Sequence, residues 1–317
     1  MSHVADTADP QATIDEMTAA MPAYEGMASL LWRRFRRHPG AVAGMIVLGI
    51  IVLAVVFAGL SPYDPEVSDV RNRLQPPSLQ HPFGTDQLGR DLLTRCLYGG
   101  RVSLSVGLLV VVITLVIGLP VGALAGFFGG AVDNILMRVT DAFLTLPTLL
   151  VLILLSAILR EIEFPLLEQN NLLTIALVIG LLSWMTVARL VRATFITIRE
   201  KEFVVAARGI GAANLRIIVL HILPMAIGPI IVEATLEVAW AIMEEAGLSF
   251  LGFGIRPPTP SWGNLLSNAQ EHLTRHPWLA IFPGLMIFFT IISINYIGDG
   301  LRDAFDPFKV VGVSEEA

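Results

Sequence analysis

Arg199-Glu-Lys-Glu-Phe-Val-Val-Ala-Ala-Arg-Gly-Ile-Gly-Ala-Ala-Asn-Leu-Arg-Ile-Ile-Val-Leu-His-Ile-Leu-Pro224 is a charged, alanine-rich interruption in a chain otherwise made of long apolar runs. Its first part, Glu202 to Arg208, is expected to form a short helix. Gly211 follows as a residue able to take positive φ and turn the chain, and Asn214 to Leu223 reads as a second helical stretch ending near Pro224. A polar elbow of this kind, set between apolar blocks, is a surface for docking something outside the membrane.

The composition agrees with membrane residence. The 317 residues are 54% hydrophobic and 15% charged, with a mean hydropathy of +0.70, whereas soluble domains run at roughly 45 to 50% apolar. The net charge of −6 comes with no long acidic or basic run, so no nucleic-acid surface is expected. A single cysteine, Cys96, excludes an intrachain disulfide, and no Cys/His cluster has structural-zinc spacing. The first 30 residues lack the pattern of a cleavable signal peptide, so the N-terminus is expected to stay in the cytoplasm.

Six apolar runs have the length needed to cross a hydrocarbon core roughly 30 Å thick. They are residues 41–60, 102–127, 142–158, 172–191, 224–245 and 278–297, giving an all-α integral membrane fold. Residues 1–24 read as a polar tail, and 24–38 as an amphipathic, basic helix at the membrane surface, so 1–40 precede the first transmembrane helix at 41–60. Residues 61–101 form an external segment, in which Thr85 or Asp86 can cap a short helix and Asp91 and Arg95 are spaced to pair. Residues 102–297 make a five-helix core with a short inner loop expected at 128–141, holding Asp133, Arg138 and Asp141, and a cytoplasmic loop at 192–223; 298–317 form a cytoplasmic tail. In the second run, Gly118, Gly122 and Gly126 recur every four residues, the spacing that lets another helix approach closely in lipid, and Pro120 and Pro147 are expected to bend their helices. With both ends inside, 13 of the 21 lysines and arginines fall on the cytoplasmic side and 8 outside, the sign required by the positive-inside rule. Arg71, Arg73, Arg90, Arg95 and Arg101 crowd into the outer segment and moderate that bias.

Two sets of residues are candidates for function. The first is the elbow itself. The second is Glu233, Glu237 and Glu244, four and seven residues apart and so on one face of the fifth span. A carboxylate in the middle of a bilayer costs about 2.5 to 3.5 kcal/mol on insertion scales, so such groups face a bundle interior or an aqueous path. The acid face can line a translocation path that favours a cationic group, or its members can be interhelical ion pairs. Glu244 and Glu245 lie toward the outer end, where solvation would suffice. A phosphate-cradling loop requires lysine after a glycine-rich turn; the two lysines, Lys201 and Lys309, follow Glu200 and Phe308. If ATP drives this protein, another chain must hydrolyse it.

The elbow resembles the coupling motif of ATP-binding-cassette (ABC) importer permeases: Glu-Ala-Ala, three residues, Gly, nine residues, Ile, one residue, Leu-Pro. Ala206, Ala207, Gly211, Leu223 and Pro224 fall on it, whereas Val205 replaces the Glu and His221 the Ile. Other stretches resemble the C-type permease subunit of dipeptide, oligopeptide and nickel importers. They are His81-Pro-Phe-Gly-Thr-Asp-Gln-Leu-Gly-Arg-Asp91, Gly129-Gly130 with Asp133, Met137-Arg138 and Asp141, Glu245-Ala-Gly-Leu-Ser-Phe-Leu-Gly252, Pro257-Pro-Thr-Pro-Ser-Trp-Gly263 and Gly298-Asp-Gly-Leu-Arg-Asp-Ala-Phe-Asp-Pro307.

The resemblance implies a type I ABC importer permease fold in a bacterial cytoplasmic membrane, with both termini inside. The implied partners are a homologous B-type permease, two cytoplasmic ATPase subunits that bind ATP and Mg, and an external substrate-binding protein; no cofactor is expected in this chain. It also implies that Glu202, Ala206, Ala207, Arg208 and Gly211 meet an ATPase subunit. The expected function is therefore a non-catalytic half of a path for di- or oligopeptides. Nickel or another small solute is the alternative, although the six histidines lie outside the spans or near their ends, where a nickel path would not want them. A secondary transporter driven by an ion gradient could use the span-five acids as its sites, but the cytoplasmic elbow has no place in it. A receptor would need a larger domain on one side.

Overall fold

In a computed structural model of the chain, residues 26–161 and 170–306 are described. Their helices are α1 (Met27–Arg37), α2 (Pro39–Val56), α3 (Leu92–Phe128), α4 (Gly130–Leu144), α5 (Thr148–Glu161), α6 (Asn171–Arg199), α7 (Glu202–Gly209), α8 (Asn214–Ile217), α9 (Leu223–Phe250), α10 (Trp262–Ala269) and α11 (Trp278–Phe305). No β-strand occurs among the described residues. The parts of the two expected tails at 1–25 and 307–317, and most of the loop after α5, lie outside them.

The glycine stripe organises the bundle. A Cβ on Gly118 would lie 2.7 Å from the Trp184 carbonyl oxygen, one on Gly122 2.4 Å from that of Ala188, and one on Gly126 2.7 Å from that of Arg192. Each contact joins residues 66 apart (118 with 184, 122 with 188, 126 with 192), so α3 and α6 run parallel in one unbroken register. Close backbone approach replaces hydrophobic burial as the adhesive, since lipid tails are as apolar as leucine.

Parallel helices oblige the chain between them to return across the bundle. That return is made by α4 and α5, which meet at an 87° bend around Pro147. With 14 residues, α5 is about 21 Å long and cannot cross a core of roughly 30 Å alone. The third span is therefore a broken pair, and five continuous helices plus this pair account for the six expected crossings. The segment expected to be a loop at 128–141 is mostly α4. Its polar residues misled the periodicity; Asp133 and Asp141 are paired to α6, as described below.

The remaining contacts fix the other directions. Ser103 of α3 meets Glu245 of α9, Gly228 and Gly298 bring α9 against α11 antiparallel, and Gly44 and Gly300 do the same for α2 against α11. Both ends of the described chain thus lie on the same face as α7.

Several boundaries move relative to the sequence reading. The second span starts at Leu92 instead of 102, because two arginines that look solvent-bound are satisfied internally. Arg95 donates to the Pro65 carbonyl at 2.6 Å, and Arg101 to those of Val55 and Val56 at 2.9 and 2.7 Å. Neither Thr85 nor Asp86 caps a helix; Asp91 does, accepting from the Thr94 amide at 2.7 Å. Asp91 turns to His81, at 2.9 Å, while Arg95 approaches Asp86, at 3.5 Å. The stretch after Asn214 does not end at Pro224. It passes through a wide turn, Ile218–Ile222, with i to i+5 geometry and continues as α9; the proline stands at the start of α9, where its missing N–H is harmless. Likewise α11 runs through Gly298 to Phe305 instead of stopping at 297.

Candidate functional site

The elbow begins where α6 stops. Helix α7 spans eight residues, with Glu202 in its first turn and Arg208 in its last, each charge facing the complementary end of the helix dipole. Val204 and Ala207 are buried against the ends of α3 and α6, in a cluster with Phe127, Val191, Phe195 and Ile198, so Ala207, expected to meet an ATPase subunit, packs on its own bundle instead. The opposite face is open: Phe203, Val205, Ala206 and Ile210 are exposed, as is Leu215 of α8. An eight-residue helix therefore offers apolar side chains outward, beside its own exposed Glu202 and Arg208.

Gly211 ends α7 at φ +81°, with no atom near the place a Cβ would occupy. The requirement is conformational only. Its amide donates to the Arg208 carbonyl at 3.0 Å and the next amide, of Ala212, reaches back to Ala207 at 3.1 Å. This pair of bonds is the helix-ending arrangement that a left-handed glycine permits. The Arg208 guanidinium carbon lies 5.1 Å from the Phe127 ring centroid, tying α7 to the end of α3.

Behind the elbow the helices are clamped. Arg192 of α6 holds the Asp133 carboxylate of α4 through both oxygens, and Arg189 holds Asp141 at 2.6 Å. Arg199, the last residue of α6, donates to the Gly126 carbonyl at the end of α3, at 2.8 Å. These bonds join α6 to α4 and to the end of α3, where α7 is packed.

The acids of α9 divide between different surroundings. Glu233 is half-buried and shares a cavity of about 340 Å³ with Leu190, Pro229, Arg302 and Phe305, near the elbow end of the bundle. Glu237 is buried, with Ser183 of α6 beside it and one carboxylate oxygen, Oε1, lacking a hydrogen-bond partner. Glu244 is half-buried. The structure thus places Glu233 and Glu237 along the side of α9 that meets α6.

Glu245, expected to be solvated near the outer end, is instead fully buried. It accepts hydrogen bonds from Ser103 of α3 at 2.7 Å and Ser249 at 2.6 Å. Ser249 in turn accepts from the Ile255 amide at 3.0 Å, and Ser103 from the Trp262 amide at 3.3 Å. Trp262, also fully buried, donates its indole N–H to the Cys96 carbonyl at 2.8 Å, and Ser261 and Asn264 close a reciprocal cap on α10. The Pro257 to Gly263 motif is thus the seat of α10 on α3 and α9, with Glu245 at its centre. A signal was present in the serines at 103 and 249, yet only the fold brings Ser103 to Glu245.

Residues 118–310 match the family model described as binding-protein-dependent transport system inner membrane component. The chain belongs to this transport permease family. The permease also matches, over residues 27–77, the N-terminal transmembrane domain of oligopeptide transport permease C. It is 41% identical to a dipeptide transport system permease protein of Alkalihalophilus pseudofirmus, over 92% of each chain. It is 39% identical to an oligopeptide transport system permease protein of Bacillus subtilis, over 87% of this chain and 90% of that one. Among solved structures it resembles a chain of the MetNI methionine ABC transporter in an inward-facing form, with a TM-score of 0.54 and 19% identity, covering 66% of the permease and 94% of that chain. The permease therefore has the type I ABC importer fold expected from its elbow.

Proposed function

We propose that this chain is one of two permease subunits of an ATP-driven importer, and that it forms half of a path for di- or oligopeptides delivered by an external binding protein. The observation that carries the coupling role is the elbow. A short helix with an exposed apolar face is fixed by Gly211 and tied through Arg208 to the end of α3, which Arg199 joins to α6, and α6 is joined by Arg192 to α4. In this reading Glu202, Ala206 and Arg208 face a cytoplasmic ATPase subunit and the small Ala206 permits close docking. ATP and Mg belong to that partner, and this chain does no chemistry itself. ATPase closure pushes α7, and the clamped helices carry the movement to α9, whose Glu233 and Glu237 line the path and favour the peptide's ammonium group. Glu244 continues that face outward.

The face carrying α1, α7 and the end of α11 is assigned to the cytoplasm, supported by the arginines at 33, 34, 36, 37, 189, 192 and 199. The peptide assignment is supported by the dipeptide and oligopeptide permeases named above.

The test is Gly211→Pro in the reconstituted complex with its second permease, two ATPase subunits and binding protein. Proline cannot adopt φ near +81° and removes the amide that closes α7. The expected result is a variant that inserts and assembles, hydrolyses ATP and takes up no labelled peptide. Normal ATP-driven uptake would overturn the coupling role.

A further inference from the structure

Between α1, α2 and α11 lies a second cavity, of about 350 Å³, which shares the Phe305 side chain with the Glu233 cavity. Its walls include Ala28, Leu31, Trp32, Phe35, Met45 and Leu301, all apolar. The Trp32 ring stacks on Phe35 at a centroid distance of 5.9 Å, and the Arg36 guanidinium carbon lies 5.9 Å from the Trp32 ring centroid. One aromatic side chain thus joins the wall of an apolar slot to a cation.

The neighbouring charges are differently employed. Arg34 donates to the carbonyls of Ala304 and Asp306, each at 3.3 Å, which docks α1 on the end of α11. Arg33 is engaged within the chain. Arg36 and Arg37 are both exposed in the last turn of α1, but Arg36 alone contacts a lining residue, and Arg37 falls about 180° round the helix from the slot. Tryptophan favours the membrane interface, and arginines at that level attract acidic headgroups.

An apolar slot with the Arg36 guanidinium on the Trp32 ring at its edge is complementary to the two halves of a negatively charged amphiphile. A protein helix would match the slot but leave Arg36 without counter-charge. We propose that an anionic phospholipid occupies this position, with an acyl chain in the cavity and its phosphate on Arg36. Bound there, it bridges α1 to α2 and α11 and reinforces the contact of Arg34 and Phe35 with the end of α11. The proposal does not depend on peptide being the cargo. It rests on the cytoplasmic assignment only for the leaflet, which cysteine labelling from either side of sealed vesicles tests separately.

The measurement is lipid retention and binding by the intact transporter complex in nanodiscs, read by native mass spectrometry and by titration with phosphatidylglycerol or phosphatidylcholine. Phosphatidylglycerol is expected to be retained preferentially. Arg36→Gln should weaken that preference roughly fivefold, the effect of one basic residue removed near an anionic surface. Ala28→Phe, at an exposed position lining the cavity, should fill the slot and reduce retention of phosphatidylglycerol with Arg36 intact. Inorganic phosphate should not compete. Equal binding of the two lipids, or unchanged preference in the Arg36→Gln variant, overturns the proposal. Full competition by phosphate would reduce it to an anion site and overturn the acyl-chain assignment. Binding that emerges only after residues 1–25 are deleted, or only without the second permease, would give the cavity to that segment or that subunit instead.

Discussion

Gly122→Ala tests whether the α3 and α6 seam is held by backbone approach. The added methyl would lie 2.4 Å from the Ala188 carbonyl oxygen, 2.7 Å from Val191 Cβ and 3.1 Å from the Ala188 carbonyl carbon, where ordinary contact begins at 3.4 Å. The nearest atoms belong to backbone and to a β-branched residue, so neither can swing aside. The helices must part by about 1 Å, and a gap of that size forfeits a quarter to a half of the dispersion energy of each facing atom pair. Overpacking of this kind costs about 1 to 3 kcal/mol. Against it stands the better helix propensity of alanine, up to about 1 kcal/mol. The expected net loss is about 1 to 2 kcal/mol. Gly49→Ala in α2 is the control, because a methyl there meets nothing within 4 Å and only the propensity gain remains. Both variants would be unfolded in mixed micelles by increasing denaturing detergent, with tryptophan fluorescence as the signal. If Gly122→Ala is as stable as Gly49→Ala, close glycine packing does not hold the bundle.

Three other outcomes follow from the geometry. Glu245→Ala leaves two buried serine hydroxyls without their acceptor, at about 1 to 3 kcal/mol each, and hydrogen exchange should rise at residues 261–269; unchanged protection there would show that α10 is seated without it. Asp133→Asn loses the charge but not the shape of the Arg192 clamp and should cost about 1 kcal/mol, given its partial exposure; a double-mutant cycle with Arg192→Gln that gives no coupling energy would remove the clamp from the transmission route. Glu233→Gln combined with Glu237→Gln should lower peptide uptake with ATP hydrolysis and assembly intact, and unchanged transport of every peptide tried would exclude a path-lining role.

The features legible in the sequence are those with a local cause. Gly211 had to turn the chain because no residue with a side chain ends a helix so cheaply at positive φ, and the four-residue glycine interval announced a helix contact without naming its partner. What escaped notice depends on partners distant in sequence. Arg95 and Arg101 look like the end of an apolar run until the carbonyls of Pro65, Val55 and Val56 are brought to them. Asp133 and Asp141 made α4 look like a loop because their neutralisation comes from Arg192 and Arg189, more than forty residues on. Glu245 was discounted for the same reason, its serine on α3 being 142 positions away. The continuation of the helix through Pro224 was hidden by a different cause, since one turn of wider pitch absorbs a residue that ordinarily marks a boundary.

The constant interval of 66 residues between partners on α3 and α6 also governs how the protein can be made. At roughly 5 to 20 residues per second, the ribosome needs about 3 to 13 s to deliver the second half of the seam after the first. During that interval the glycine stripe of α3 faces lipid with its intended neighbour unsynthesised, while α4 and α5 enter the bilayer beside it. An insertion anywhere between the two helices lengthens the wait but leaves the seam intact. A one-residue insertion within α3 near Gly118 rotates the stripe by about 100° and leaves a nascent chain that can be threaded through the membrane yet never zipped.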